Sequence, residues 1–85
     1  YNQTTLLVRV RGEENSKFLI LLWNITGDSK TIVFNSRQQL APLNYKTYAF
    51  QLPRNETFTD IWLTPVTPEG QPSVIYWDYV MFVEG

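Results

Sequence analysis

Thr5-Leu-Leu-Val-Arg-Val-Arg11 is the stretch that decides the fold, because Leu6, Val8 and Val10 alternate with Arg9 and Arg11. A two-residue period puts apolar and charged side chains on opposite faces of an extended chain, the signature of a half-buried strand. Outward along the chain the same period returns twice. Tyr48, Phe50 and Leu52 alternate with Thr47, Ala49 and Gln51, and Ile61 and Leu63 alternate with Trp62 and Thr64. Strands are predicted over 5–11, 17–24, 31–35, 45–52, 59–64 and 73–83, separated by turns rich in Gly, Pro, Asn, Asp and Ser. No stretch has a helical period. Pro42, Pro53, Pro65, Pro68 and Pro72 are all expected between strands, where a missing amide donor breaks no ladder. The pattern predicts an all-β, antiparallel β-sandwich occupying 1–85 as a single domain.

Two segments do not alternate. Lys17-Phe-Leu-Ile-Leu-Leu-Trp23 and Val74-Ile-Tyr-Trp-Asp-Tyr-Val-Met-Phe-Val83 are apolar or aromatic on both sides. Each sheet of a two-layer sandwich has only one inner face, so their second faces would lie in water. An exposed apolar patch of several hundred Å² is uncommon on a free monomer. Another domain or subunit, or a further segment of the same domain, is therefore expected to cover them.

The chain is 44% hydrophobic and 15% aromatic with 18% charged residues, a composition that folds. At 85 residues it buries a modest core and has a thin stability margin. Its seven basic and eight acidic residues are scattered, and no basic stripe exists to neutralise a phosphate backbone, so nucleic acid is not an expected partner. No run approaches the ~18 apolar residues of a membrane span. The N-terminus lacks the layout of a signal peptide, so a secretion signal would lie upstream.

Catalytic chemistry has little to work with. The chain has neither His nor Cys, which excludes thiolate and imidazole nucleophiles, bases and metal ligands, and it has no phosphate loop or nucleophile elbow. Asp60, Asp78, Glu56 and Glu69 could in principle supply a glycosidase pair, but surface charges and one structural aspartate are the simpler reading. An enzyme is not expected.

Three tripeptides match the N-glycosylation pattern, at Asn2, Asn24 and Asn55, against about one expected by chance; ordinary turn residues are the alternative. With the absence of cysteine they point to an extracellular or cell-surface protein, and they suit an archaeal surface as well as any host. Trp23 and Trp62 are candidates for an outward platform on which a sugar could stack, with Arg9, Gln51 or Asn24 as polar partners. Packing is the competing use of the same rings.

The order of elements resembles the galactose-binding-like jelly roll of many carbohydrate-binding modules. Leu6-Leu-Val-Arg-Val-Arg-Gly12, Lys17-Phe-Leu-Ile-Leu-Leu-Trp23, Tyr48-Ala-Phe-Gln-Leu-Pro53, Phe58-Thr-Asp-Ile-Trp-Leu-Thr-Pro65 and Val74-Ile-Tyr-Trp-Asp-Tyr-Val-Met-Phe82 carry it. The closing pair is the most specific part: an Ile-x-Leu strand, a proline and a loop, then apolar-x-apolar-Asp-x-Val-x-apolar, matched by Ile75, Trp77, Asp78, Val80 and Phe82. The resemblance implies that Ile75, Trp77, Val80 and Phe82 all point inward, which a regular strand forbids and a β-bulge near Asp78 allows. It also implies one or two further N-terminal strands, and a possible structural calcium at Asp78. The loops at 12–16, 35–44 and 65–72 carry no aromatic residue, which moves an expected sugar site from the loop tips to a sheet face. Two functions follow as expectations: glycan recognition through Trp23 and Trp62, or a structural interaction module packed within a larger surface protein or filament.

Overall fold

The computed structural model describes residues 4–54, 56–67 and 70–84. Seven strands run in the order β1 (Thr5–Gly12), β2 (Lys17–Thr26), β3 (Ser29–Asn35), β4 (Gln39–Leu40), β5 (Lys46–Gln51), β6 (Asp60–Val66) and β7 (Ile75–Val83). All pairings are antiparallel and fall into two sheets. One has the order β5-β1-β7; in the other β2 is central, with β3 and β4 along one side and β6 along the other. The expected sandwich is present.

Central strands make the core. Leu6, Val8 and Val10 of β1 and Phe18, Ile20 and Leu22 of β2 are fully buried, joined by Leu52 and Ala41. Tyr48, Phe50, Ile61, Leu63, Ile75, Trp77 and Val80 pack against this cluster from the flanking strands, each only partly buried. Flanks and centre differ because each sheet is narrow and the sandwich is flat. The Cα extents are 37 × 32 × 16 Å and the radius of gyration is 13.7 Å, against about 12 Å for a compact chain of this length.

The bulge that the closing strand requires is present. Arg9 pairs with Tyr79 and Val10 with Trp77, so Asp78 is skipped, and Trp77 and Val80 both turn to the core. β2 needs another repair. Its partners β4 and β3 cover Lys17–Phe18 and Leu21–Thr26, leaving a gap at Ile20. Buried Ser36 fills it: Ile20 N donates to Ser36 Oγ at 2.9 Å, and Ser36 N donates to Ile20 O at 3.0 Å. An unpaired backbone pair in the middle of a sheet is thereby avoided.

Loops at one end are tied together by Ser16, also buried. Its Oγ accepts from Val74 N and its carbonyl accepts from Ala41 N. Gly12 sits in the same junction, where a Cβ would lie 2.6 Å from that of Ala41, so any side chain would push the β4–β5 connection away. The β2–β3 hairpin turns on two residues, and Gly27 there has φ 56, a conformation glycine adopts without strain.

Three details depart from the sequence expectation. β2 continues to Thr26 and places Asn24 inside the strand, opposite Thr31. β4 appears where a loop was expected. Pro65 lies inside β6 rather than after it, tolerated because β6 is an edge strand paired with β2 alone.

Candidate functional site

Alternation makes Arg9, Gln51, Trp23 and Trp62 all outward residues, but strand order puts them on different sheets. Arg9 and Gln51 belong to β1 and β5, and Trp23 and Trp62 to β2 and β6. The two pairs therefore lie on opposite outer faces of the sandwich. The tryptophans do meet. Their ring centroids are 4.9 Å apart with planes tilted by 47°, and Trp62 is 45% exposed while Trp23 is half-buried. Leu19, Leu21 and Ile32 continue this face. Its polar rim is Asp60, opposite Trp23, with Thr64 and Asn35 along the pairing. Thr59 secures the corner: its amide donates to Trp23 O, and its Oγ1 accepts from Ile25 N and donates to Asp60 Oδ1. The indole Nε1–H of Trp23 is buried and has no hydrogen-bond partner among the described residues.

The other face is a network. Arg9 Nε donates to Asp78 Oδ2 at 2.8 Å, and its guanidinium lies 5.2 Å from the centre of the Tyr45 ring. Arg11 lies between two rings, 5.4 Å from Tyr45 and 4.0 Å from Tyr76, geometry that suits cation–π attraction. Tyr76 donates its hydroxyl to Glu13, which holds that phenol above its ordinary pKa, first through the hydrogen bond and then through its charge. Tyr79 and Thr47 share a hydroxyl contact of 3.2 Å. Gln51 is engaged too, with Nε2 donating to Thr5 Oγ1 at 3.4 Å. None of these partners was legible as a pair in sequence, since Arg9 and Asp78 stand 69 residues apart.

Asp78 sits at the bulge with its side chain 47% exposed and its charge met by Arg9. Calcium would take six to eight oxygens, whereas among the described residues no three acidic groups gather, and a guanidinium occupies this carboxylate. These residues do not fit a calcium site. Asp60 and Asp78 lie on opposite outer faces and cannot act as a pair; Glu56 is in the loop before β6, and Glu69 lies outside the described residues. Of the sequons, Asn24 is half-buried in β2 beside the hairpin, while Asn2 and Asn55 lie outside the described residues.

Comparison with protein-family models, curated proteins and solved structures finds no match for this chain. The arrangement itself has to carry the functional reading. No helix among the described residues is long and apolar enough to cross a membrane.

Proposed function

We propose that this domain is a non-catalytic interaction module of an extracellular or cell-surface protein, and that the outer face of its β2 sheet packs against further protein. The observation that carries the reading is the continuity of that face: Leu19, Leu21 and Trp23 half-buried beside Trp62 and Ile32, 45% and 46% exposed. Burying a large side chain from full exposure is worth roughly 1.5–3 kcal/mol, and each of these partly covered residues gains the remaining share of that on acquiring a cover. Absence of His and Cys supports a non-catalytic role, and the three sequons support the location. The bulge at Asp78, where the resemblance requires one, favours a jelly roll of the galactose-binding-like kind. The test is hydrophobic-dye binding by the 85-residue chain, with Trp62→Gln as the variant. Strong binding that falls in the variant is expected; a chain that binds no dye overturns the reading.

Glycan recognition is the second reading, favoured by the exposed ring of Trp62 leaning on Trp23 with Asp60, Thr64 and Asn35 nearby. Arg9 and Gln51 drop out of that site because they serve the opposite face. Titrating tryptophan fluorescence with a panel of oligosaccharides distinguishes the two. A saturable change abolished by Trp62→Ala would favour sugar over protein.

A further inference from the structure

The sandwich has four strand edges, and three of them carry devices that discourage pairing. β5 opens on Lys46, β6 contains Asp60 and Pro65, and β3 contains Lys30 and is separated from the two-residue β4 by the Ser36 turn. Charges, prolines and breaks of this kind keep edges from recruiting strands. β7 differs. It is nine residues long, has no proline or lysine, and carries one charge, Asp78, which Arg9 of β1 already meets. Among the described residues its one protection is the bulge.

Backbone direction shows which groups of β7 are free. Leu52 N donates to Thr4 O and Gly12 N donates to Pro42 O, so the even-numbered residues of β1 address the β5 side. Alternation turns Thr5, Leu7, Arg9 and Arg11 toward β7, where they oppose Val83, Met81, Tyr79 and Tyr76. The amides and carbonyls of Ile75, Trp77, Val80 and Phe82 accordingly point away from β1. They have no hydrogen-bond partner among the described residues. Side chains of the same four residues face inward, yet Phe82 is 41% exposed and stacks on Phe58 at 4.9 Å, because the sandwich is open along this edge.

We propose that β7 pairs antiparallel with β7 of a second copy of this chain about a twofold axis, joining the two three-stranded sheets into one continuous six-stranded sheet. An isologous contact requires a patch complementary to itself. The edge meets that condition: its free donors and acceptors at Ile75, Trp77, Val80 and Phe82 are spaced symmetrically about the bulge, its carboxylate is met from within by Arg9, and a twofold there sets Phe82, with the Phe58 ring stacked on it, opposite Ile75 of the second copy. A net charge of −1 opposes association only weakly. The edge is a separate surface from the Trp23–Trp62 face, so each can fail without the other.

Light scattering across a dilution series, with residue-resolved amide exchange at both ends of it, tests the proposal. Expected is a dimer at high concentration, with exchange at Ile75, Trp77, Val80 and Phe82 slowed about tenfold or more relative to the dilute monomer. Val80→Pro removes one free-edge donor and should abolish the dimer while leaving the near-UV aromatic spectrum in place. If that variant does not fold, the wild-type exchange pattern decides alone. A chain that stays monomeric throughout, or a dimer whose new protection falls away from these four amides, overturns the proposal.

Discussion

The two outer faces of this sandwich both carry exposed aromatic rings and end in opposite conditions. On the β1 sheet the aromatic rings have polar company: Arg11 between Tyr45 and Tyr76, Tyr76 bound to Glu13, Tyr79 against Thr47, Arg9 on Asp78. Polar tips and cationic partners let such rings face water at little cost. On the β2 sheet Trp23 and Trp62 have each other and a row of aliphatic neighbours. The difference lies in residue type at outward positions: tyrosine and arginine satisfy themselves on one sheet, while leucine and tryptophan on the other have no means to. On the function proposed above, rings without polar partners, rather than exposed aromatic content alone, mark the docking face.

The contrast breaks most visibly through stability. Trp23→Ala should lower it by roughly 2–3 kcal/mol, short of the ~3–5 kcal/mol of a fully buried aromatic because the ring is half-buried and its indole donor is unpaired. Tyr79→Ala on the opposite face should cost below about 1 kcal/mol, since a 38% exposed ring with one hydroxyl contact has less to lose. Urea denaturation midpoints measure both. Equal losses would mean that the faces are energetically alike.

Local alternation reached the strands and the inward residues of β1, β5 and β6, whereas the bulge at Asp78 came from the resemblance of the closing strand, whose pattern puts Trp77 and Val80 on one face. Alternation did not reach the assignment of strands to sheets. Arg9 and Trp62 are both plainly outward in sequence, and only the order β5-β1-β7 against β2-β6 separates them by the thickness of the molecule. A side-chain ion pair across 69 residues, as between Arg9 and Asp78, leaves no local trace. β4 was illegible for a different reason: two residues have no period, and it exists because Ser36 ties the chain to Ile20 just before it. Pro65 misled because proline forbids a central strand and not an edge.

A smaller effect sharpens the account of the tyrosine face. An aspartate in a largely apolar strand would be costly if buried alone, but Asp78 and Arg9 are 47% and 39% exposed. Asp78→Ala should therefore cost about 0–1 kcal/mol, the range of a solvent-exposed pair. The loss should shrink in high salt. A midpoint shift well beyond that range would show that the carboxylate also holds the bulge itself.

The smallest effect concerns a single proton. Glu13 raises the Tyr76 pKa by accepting its hydrogen bond and by its negative charge, and Arg11 opposes this more weakly. Ionisation of Tyr76 would cost the bond to Glu13 and place two negative charges together, so the folded state holds the phenolic proton to higher pH than the unfolded chain does. The sign follows: this contribution is complete below the unfolded-state pKa near ~10 and is lost as pH rises through the folded value. Glu13→Gln removes the charge and weakens the acceptor, and should move Tyr76 ionisation to lower pH with little change in stability at neutral pH. Ultraviolet absorbance titration of the variant against wild type, with Tyr76→Phe to identify the transition, reads it directly. Since Tyr48 is also raised, by burial, a shift that persists in Tyr76→Phe would assign the effect to the core ring and remove Glu13 from the network that sets this face apart.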